Sequence, residues 1–465
     1  MTAVGTNDTS EVEGGTAIPR RIPEGSLLLA VALTMGLVLR LAPILVSDFP
    51  LRDGGLFVTM ARDLRNAGFA PPMYSSFNAG DVPFAYPPLG LYMLALIPGD
   101  PITTERWLPV VWSMLAIITA YLLARELTEE RTAGLAAIVF AAMPVAWAIE
   151  GGGVTRALAF ALLLAALWRV AVALRAPGVR NAALAGVLAG LAILSHPAVG
   201  PTGVASSLLL LTSRRSWRGS ATLAGAFVVG GAVVAPWLVF VISRWGVGAI
   251  LAAGGAHHAE ETLGRFLTVG PSWIGTLDFV LPLALLGLVV VARRREWLLP
   301  VWVVLLIVVP GGEGRYAAIV WAMLAAIGVQ ILIPPLKALG AVRIGAGVGI
   351  AWVFIAALLT GYARFPALAP TIRSAMAEAG AATPPNTRFA VVIDDPGMEQ
   401  PVLDWFPTLS ARISVGTYQG LEWTSVEKSD EVVALDDRIQ AGQIPPDVDA
   451  IFQIKGGVAS WRRIR

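Results

Sequence analysis

Long apolar runs dominate the chain. Residues 26–46, 107–124, 133–149, 156–174, 181–195, 197–212, 219–243, 276–292, 297–311, 315–333 and 343–362 approach or reach the length a helix needs to cross roughly 30 Å of hydrocarbon, which predicts about eleven spans. The stretch "YPPLGLYMLALIPG" (86–99) is also apolar, but it is short and opens on Pro87 and Pro88, which suits a helix lying at the membrane interface. After Tyr362 the apolar pattern stops. There "IRSAMAEAG" reads as a helix, and "RFAVVIDD" (388–395) and "DAIFQI" (449–454) read as short strands. The predicted fold is an all-α polytopic membrane protein of about eleven transmembrane helices plus interfacial helices, with a small C-terminal α/β domain. Its parts are a tail at 1–25, a membrane core at 26–362 with a long first outer loop at 47–106, and the C-terminal domain at 363–465.

Composition supports the membrane reading and narrows the chemistry. The chain is 56% hydrophobic and 14% charged over 465 residues, outside the range of ordinary soluble domains. With no cysteine, disulfides, thiolate metal sites and cysteine nucleophiles are excluded, which leaves hydroxyls, carboxylates and three histidines. Basic residues are nearly all arginine, and with the Ala, Gly, Val and Leu bias this suggests a GC-rich bacterial genome, which with the apolar spans gives a bacterial plasma-membrane protein as the expectation. The bilayer is the expected partner, and no nucleic acid is expected. With the N-terminus in the cytoplasm, the dense basic loops "RELTEERT", "RAPGVR", "SRRSWRGS", "RRRE" and "KALGAVR" all fall on the inner side, as short cytoplasmic loops should. The outer side then receives Asp48, Asp53, Glu150, His196, His257, His258, Glu260, Glu261, Glu313, Arg315 and the C-terminal domain.

Asp53 opens the turn "RDGGLF" a few residues past the first span, at the boundary between lipid and water. Gly54 and Gly55 let the chain turn there and allow close approach to the backbone. An aspartate in this place either caps the helix that follows or acts as a general base on a hydroxyl, and both roles can hold together.

The order of one span, a long loop opening with "RDGGLF", the "YPPLGLY" segment and then "ERWLPVVWSMLAIITAYLLARELTEERTAGLAAIVFAAMP" resembles the membrane glycosyltransferases of the GT-C superfamily, over roughly residues 26–160. That superfamily includes protein O-mannosyltransferases, lipid A aminoarabinose transferases and the arabinosyl- and mannosyltransferases of actinobacterial envelopes. The resemblance implies a polyprenyl-phosphate-linked sugar donor and an extracytoplasmic glycan, lipid or protein acceptor. It also implies inverting transfer, with an acidic residue of the first outer loop as base. By position that base is Asp53, and Glu150 in "AIEGGGVTRALAF" stands where a second acidic residue is expected, as glutamate instead of aspartate. Pro87, Pro88 and Leu89 match the "PPL" of the superfamily, with Tyr86 in place of the charged residue that often precedes it.

A departing polyprenyl phosphate needs cations, and Arg156 and Arg315 are outward candidates, each also able to serve as an interfacial anchor or to pair with Glu150 or Glu313. Asp48, Tyr86, His196 and Glu313 complete the residues expected near donor or acceptor, His196 at an outer turn in "LSHPAVG". No cofactor is demanded. A divalent metal is the one candidate, through His257 and Glu261 at i, i+4 in "HHAEE", a weak ligand set. In "LDWFPTLSARISVGTYQGLEW", Trp405, Phe406, Tyr418 and Trp423 either stack on sugars or form the core of the C-terminal domain. Two competing readings remain. A transporter or flippase of a lipid-linked saccharide would need polar groups near the bilayer midplane, which the spans largely lack, and a structural subunit would not need Asp53.

Overall fold

The computed structural model describes residues 24–80, 82–255, 280–309, 314–338, 340 and 342–465. A helix covers most of each predicted span. The helices in chain order are α1 (Glu24–Val46), α2 (Gly55–Asn66), α3 (Pro88–Leu96), α4 (Pro101–Leu127), α5 (Glu130–Ala142), α6 (Gly153–Arg175), α7 (Val179–Ser195), α8 (Val199–Ser213), α9 (Trp217–Gly255), α10 (Val280–Arg293), α11 (Leu298–Val308), α12 (Gly314–Ala338) and α13 (Val342–Arg364). Among the described residues α1, α4, α6, α9, α12 and α13 are long and apolar enough to cross a membrane alone, while α7, α8 and α10 are shorter apolar helices. The chain is a multi-pass membrane protein.

Helix α6 is the centre of the bundle: 78% of its apolar window is buried, against 17% for the peripheral α13. It packs on α4, α7, α8 and α9. Its many alanines let these neighbours come close, as expected where lipid offers no hydrophobic drive for helix association. Helix α3 has nine residues, about 13 Å at the rise of an α-helix, so it cannot cross the bilayer. The short-helix reading of 86–99 is therefore the one the backbone adopts.

One predicted span is shorter than expected. The run 133–149 ends as a helix at Ala142, because Pro144 cannot donate to the ladder and turns Met143 to an extended conformation (φ −79°, ψ 109°). Residues 143–152 instead form a buried link to α6 that carries Glu150, so Glu150 does not end a helix.

The first loop holds α2, α3 and the two-residue strands β1 (Tyr74–Ser75) and β2 (Val82–Pro83). Beyond α13 come α14 (Pro370–Ala381), β3 (Arg388–Ile393), α15 (Pro396–Ser410), β4 (Ile413–Ser414), α16 (Val426–Gln440), β5 (Ala450–Lys455) and β6 (Val458–Arg463). The sheet order is β4-β3-β5-β6, with β3 parallel to β4 and β5, and β6 antiparallel to β5. Trp405, Phe406, Phe389 and Phe452 fill its core, and Phe49 and Val58 of the first loop belong to the same cluster. The Phe49 and Trp405 rings meet edge to face at 4.4 Å. The C-terminal segment therefore builds its core partly from the loop that carries Asp53.

Candidate functional site

The turn "RDGG" joins α1 to α2 and is held from both sides. Gly54 adopts φ 140°, a conformation that side-chain-bearing residues avoid, and a Cβ there would lie 2.5 Å from the Glu105 carboxylate. Gly151 of the α5–α6 link lies so close that a Cβ would sit 1.9 Å from the Asp53 carbonyl oxygen. The Gly151 N–H donates to the Leu51 carbonyl at 2.8 Å. The "GGG" after Glu150 is thus what lets two loops about a hundred residues apart in sequence clasp.

Within that clasp Asp53 is 2% exposed. Its Oδ1 accepts from the Gly152 N–H at 3.0 Å, and its Oδ2 lies 2.8 Å from Arg156 Nη1. The residue that caps α2 is Gly54, with no side-chain hydrogen bond. The capping role expected as one reading of Asp53 is therefore absent: its carboxylate is aimed across the loop at α6.

Glu150 is buried with one oxygen between two guanidinium groups, Oε1 lying 3.2 Å from Arg315 Nη1 and 3.5 Å from Arg156 Nη1. Burial would raise the Glu150 carboxyl, but the charges of Arg315 and Arg156 more than offset it and hold it at about 2. Arg156 in the first turn of α6 bridges Asp53 and Glu150, and Arg315 in the first turn of α12 adds the second cation. The outcome is two carboxylates and two arginines at one end of the bundle, drawn from residues far apart in sequence.

The other expected residues are placed as follows. Asp48 is largely exposed and pairs with Arg373 of α14 at 2.5 Å, away from the Asp53 carboxylate contacts. This arginine lowers the Asp48 carboxyl. Tyr86 donates its hydroxyl to Glu422, and its ring meets Trp423 at 5.3 Å and Phe57 at 5.4 Å. Burial, with the Glu422 charge second, pushes the Tyr86 phenol well above its usual value. His196 ends α7, next to Ser195, whose hydroxyl donates to the Thr155 carbonyl at 2.7 Å, so this turn rests on the start of α6 beside Arg156. Glu313, His257 and Glu261 lie outside the described residues. Among the described residues no three His, Asp or Glu side chains come together as a metal site. The Asp53 and Glu150 carboxylates face guanidinium groups, a poor fit to a metal ion.

Trp405 and Phe406 are fully buried core, as is Trp423 at 3% exposure, whereas Tyr418 is 36% exposed. Burial, with Asp404 and Glu422 close by, pushes the Tyr418 phenol up to about 12.

Three acids escaped the sequence reading. Glu105 in the first turns of α4 is fully buried against Gly54, and Asp404 of α15 is 3% exposed with its carbonyl against Gly55. Burial, with the Asp53 charge second, raises the Asp404 carboxyl well above its ordinary value of 3.8. Glu422 is the third. The only signal was a carboxylate inside an aromatic or apolar segment, "ERWL" for Glu105, "LDWF" for Asp404 and "LEW" for Glu422, which alone does not say what it faces.

The geometry can be set beside known proteins. The family model described as dolichyl-phosphate-mannose-protein mannosyltransferase matches residues 85–240, the stretch from Ala85 into α9. The Archaeoglobus fulgidus oligosaccharyltransferase, solved with Zn and sulfate, superposes with a TM-score of 0.55 at 15% identity, covering 92% of this chain and 67% of that one. ArnT from Cupriavidus metallidurans, bound to undecaprenyl phosphate, superposes with a TM-score of 0.53 at 14% identity, covering 92% of both chains. Both are GT-C glycosyltransferases. The chain has the GT-C fold. A search of curated protein sequences finds no significant match. The match to ArnT runs through the C-terminal segment as well as the helices, since it covers nearly the whole length of each chain.

Proposed function

We propose that the protein is a membrane glycosyltransferase that moves a sugar from a polyprenyl-phosphate carrier to an extracytoplasmic acceptor, with inversion, and with Asp53 as the base. The observation that carries this reading is the Asp53–Arg156–Glu150–Arg315 cluster at one end of the helical bundle, where a carboxylate able to take a proton adjoins cations able to take a phosphate. The ArnT relative, solved with undecaprenyl phosphate, and the dolichyl-phosphate family model support a lipid-linked donor. The oligosaccharyltransferase has also been solved tethered to an acceptor peptide, with a TM-score of 0.53 at 15% identity over 92% of this chain and 68% of that one, which supports a separate acceptor at such a site.

In this mechanism the donor tail stays in lipid and its phosphate reaches Arg156 and Arg315. Arginine forks suit phosphate oxygens, and their charge stabilises the phosphate as it leaves. Arg156 also contacts Asp53 Oδ2, so its turn toward the phosphate frees that oxygen for the acceptor. The acceptor oxygen or nitrogen then attacks the anomeric carbon and Asp53 takes its proton. The bond from the anomeric carbon to the phosphate oxygen breaks, and polyprenyl phosphate departs with the electron pair. Glu150 keeps Arg315 and Arg156 together at the site. By positive-inside logic the N-terminus is cytoplasmic and this cluster extracytoplasmic. Purified protein supplied in turn with polyprenyl-phosphate-linked mannose, glucose and arabinose, together with envelope extract, should release polyprenyl phosphate. No release from any of the three, in protein that binds undecaprenyl phosphate, would overturn the reading.

A further inference from the structure

Arg52, the residue before Asp53, has a backbone φ of 56°, in the left-handed region that a long side chain rarely adopts. Three of its polar groups bond to the C-terminal segment. Its N–H donates to the Pro366 carbonyl at 2.7 Å, its carbonyl accepts from Trp405 Nε1 at 2.9 Å, and its Nη2 donates to Gln400 Oε1 at 2.7 Å. Leu51 beside it forms an antiparallel bridge with Ala367. On the far side, Gly55 lies against the Asp404 carbonyl so tightly that a Cβ would come within 2.1 Å, and Gly55 accepts from the Thr408 hydroxyl at 2.8 Å. A strained conformation lasts only where its surroundings over-determine it, and here those surroundings lie more than three hundred residues away in sequence.

We infer that Arg52 is a positioning residue for Asp53, and that residues 366–408 hold its left-handed backbone so that the Asp53 carboxylate points across to Gly152 and Arg156. This rests on the reading of Asp53 as the base. A relaxed Arg52 with negative φ would swing the next peptide and carry Asp53 off the acceptor. The C-terminal segment would then be part of the catalytic apparatus and more than a platform for acceptors.

The test compares Arg52→Asn with Arg52→Val. Both lose the bond to Gln400, but asparagine tolerates left-handed backbone and a β-branched residue does not. The Asn variant should keep kcat within about threefold of wild type. The Val variant should lose about 10² in kcat, the scale of an ångström-sized misplacement, with undecaprenyl phosphate affinity unchanged. Equal kcat in both variants overturns the inference. If the Val variant does not fold, Trp405→Phe decides, because it leaves the Arg52 carbonyl without its donor: amide exchange at residues 51–55 should quicken and kcat should fall about tenfold, and faster exchange with an unchanged kcat overturns the inference. Asp53→Asn runs alongside. Normal transfer by that variant sinks the base assignment itself, whereas an inactive Asp53→Asn beside a fully active Arg52→Val sinks only the role of Arg52.

Discussion

Two arginines of the helical bundle, one buried and one partly exposed, have opposite surroundings. Arg40 of α1 is fully buried, and it donates to the Ser113 hydroxyl at 2.6 Å and to the Ala141 carbonyl at 2.9 Å, with the Trp147 ring 5.6 Å away. Trp147 Nε1 donates to the same Ala141 carbonyl at 3.0 Å. Arg156 keeps 24% of its side chain exposed and faces two carboxylates. The first arginine stitches α1, α4 and α5 together through neutral oxygens. The second sits where charge can be exchanged with a ligand. A buried cation whose partners are carbonyls and hydroxyls serves stability, and a partly exposed one paired with buried carboxylates can serve chemistry.

The sharpest way to test that contrast is Asp53→Asn. The amide oxygen can still accept from Gly152 N–H, so fold and undecaprenyl phosphate binding should persist. Transfer should fall by about 10² to 10⁴, the usual worth of a general base. A near wild-type rate in the folded variant would leave Arg156 a purely structural cation, like Arg40.

Arg40→Met should have the next largest effect, and of the other kind. It leaves the Ser113 hydroxyl without its donor, so unfolding in detergent should come about 2 kcal/mol more easily, with the rate per folded molecule unchanged. A lower specific rate at full stability would dissolve the distinction.

Arg315→Ala should weaken donor binding about tenfold, and Arg315→Lys less, because lysine keeps the charge but loses the fork. Direct titration with undecaprenyl phosphate reads this, and equal affinities in all three proteins would remove Arg315 from the donor site.

The smallest effect concerns pH. Asp404 has a raised carboxyl, so the folded state holds its proton more tightly than the unfolded state does. Its contribution is present at low pH and is lost as pH rises above 3.8 toward the raised folded value. Asp404→Asn should therefore flatten the decline of thermal stability as pH rises above 3.8. Glu150 works the other way: its stabilising pairing is present above 4.5 and is lost as pH falls toward about 2. A steeper decline above pH 3.8 in the Asp404→Asn variant would contradict the burial argument.

The periodicity of the sequence determined the helical bundle, because each span must satisfy its own backbone in lipid and so reports itself as a long apolar run. Pro87 and Pro88 likewise marked α3 as a helix too short to cross. Asp53, Glu150, Arg156 and Arg315 were legible as polar residues at span ends, one by one. What the sequence alone could not decide was their assembly. The Asp53–Gly152 bond joins residues 99 positions apart and the Arg52–Gln400 bond residues 348 apart, and no local pattern encodes such pairing. Whether Asp53 caps α2 or faces α6 depends on the Gly151 clasp. Likewise Glu105 and Asp404 matter only because the folded chain presses them against Gly54 and Gly55. Local backbone satisfaction is written along the chain, whereas a site made of charges converging from separate helices exists only once those helices have packed.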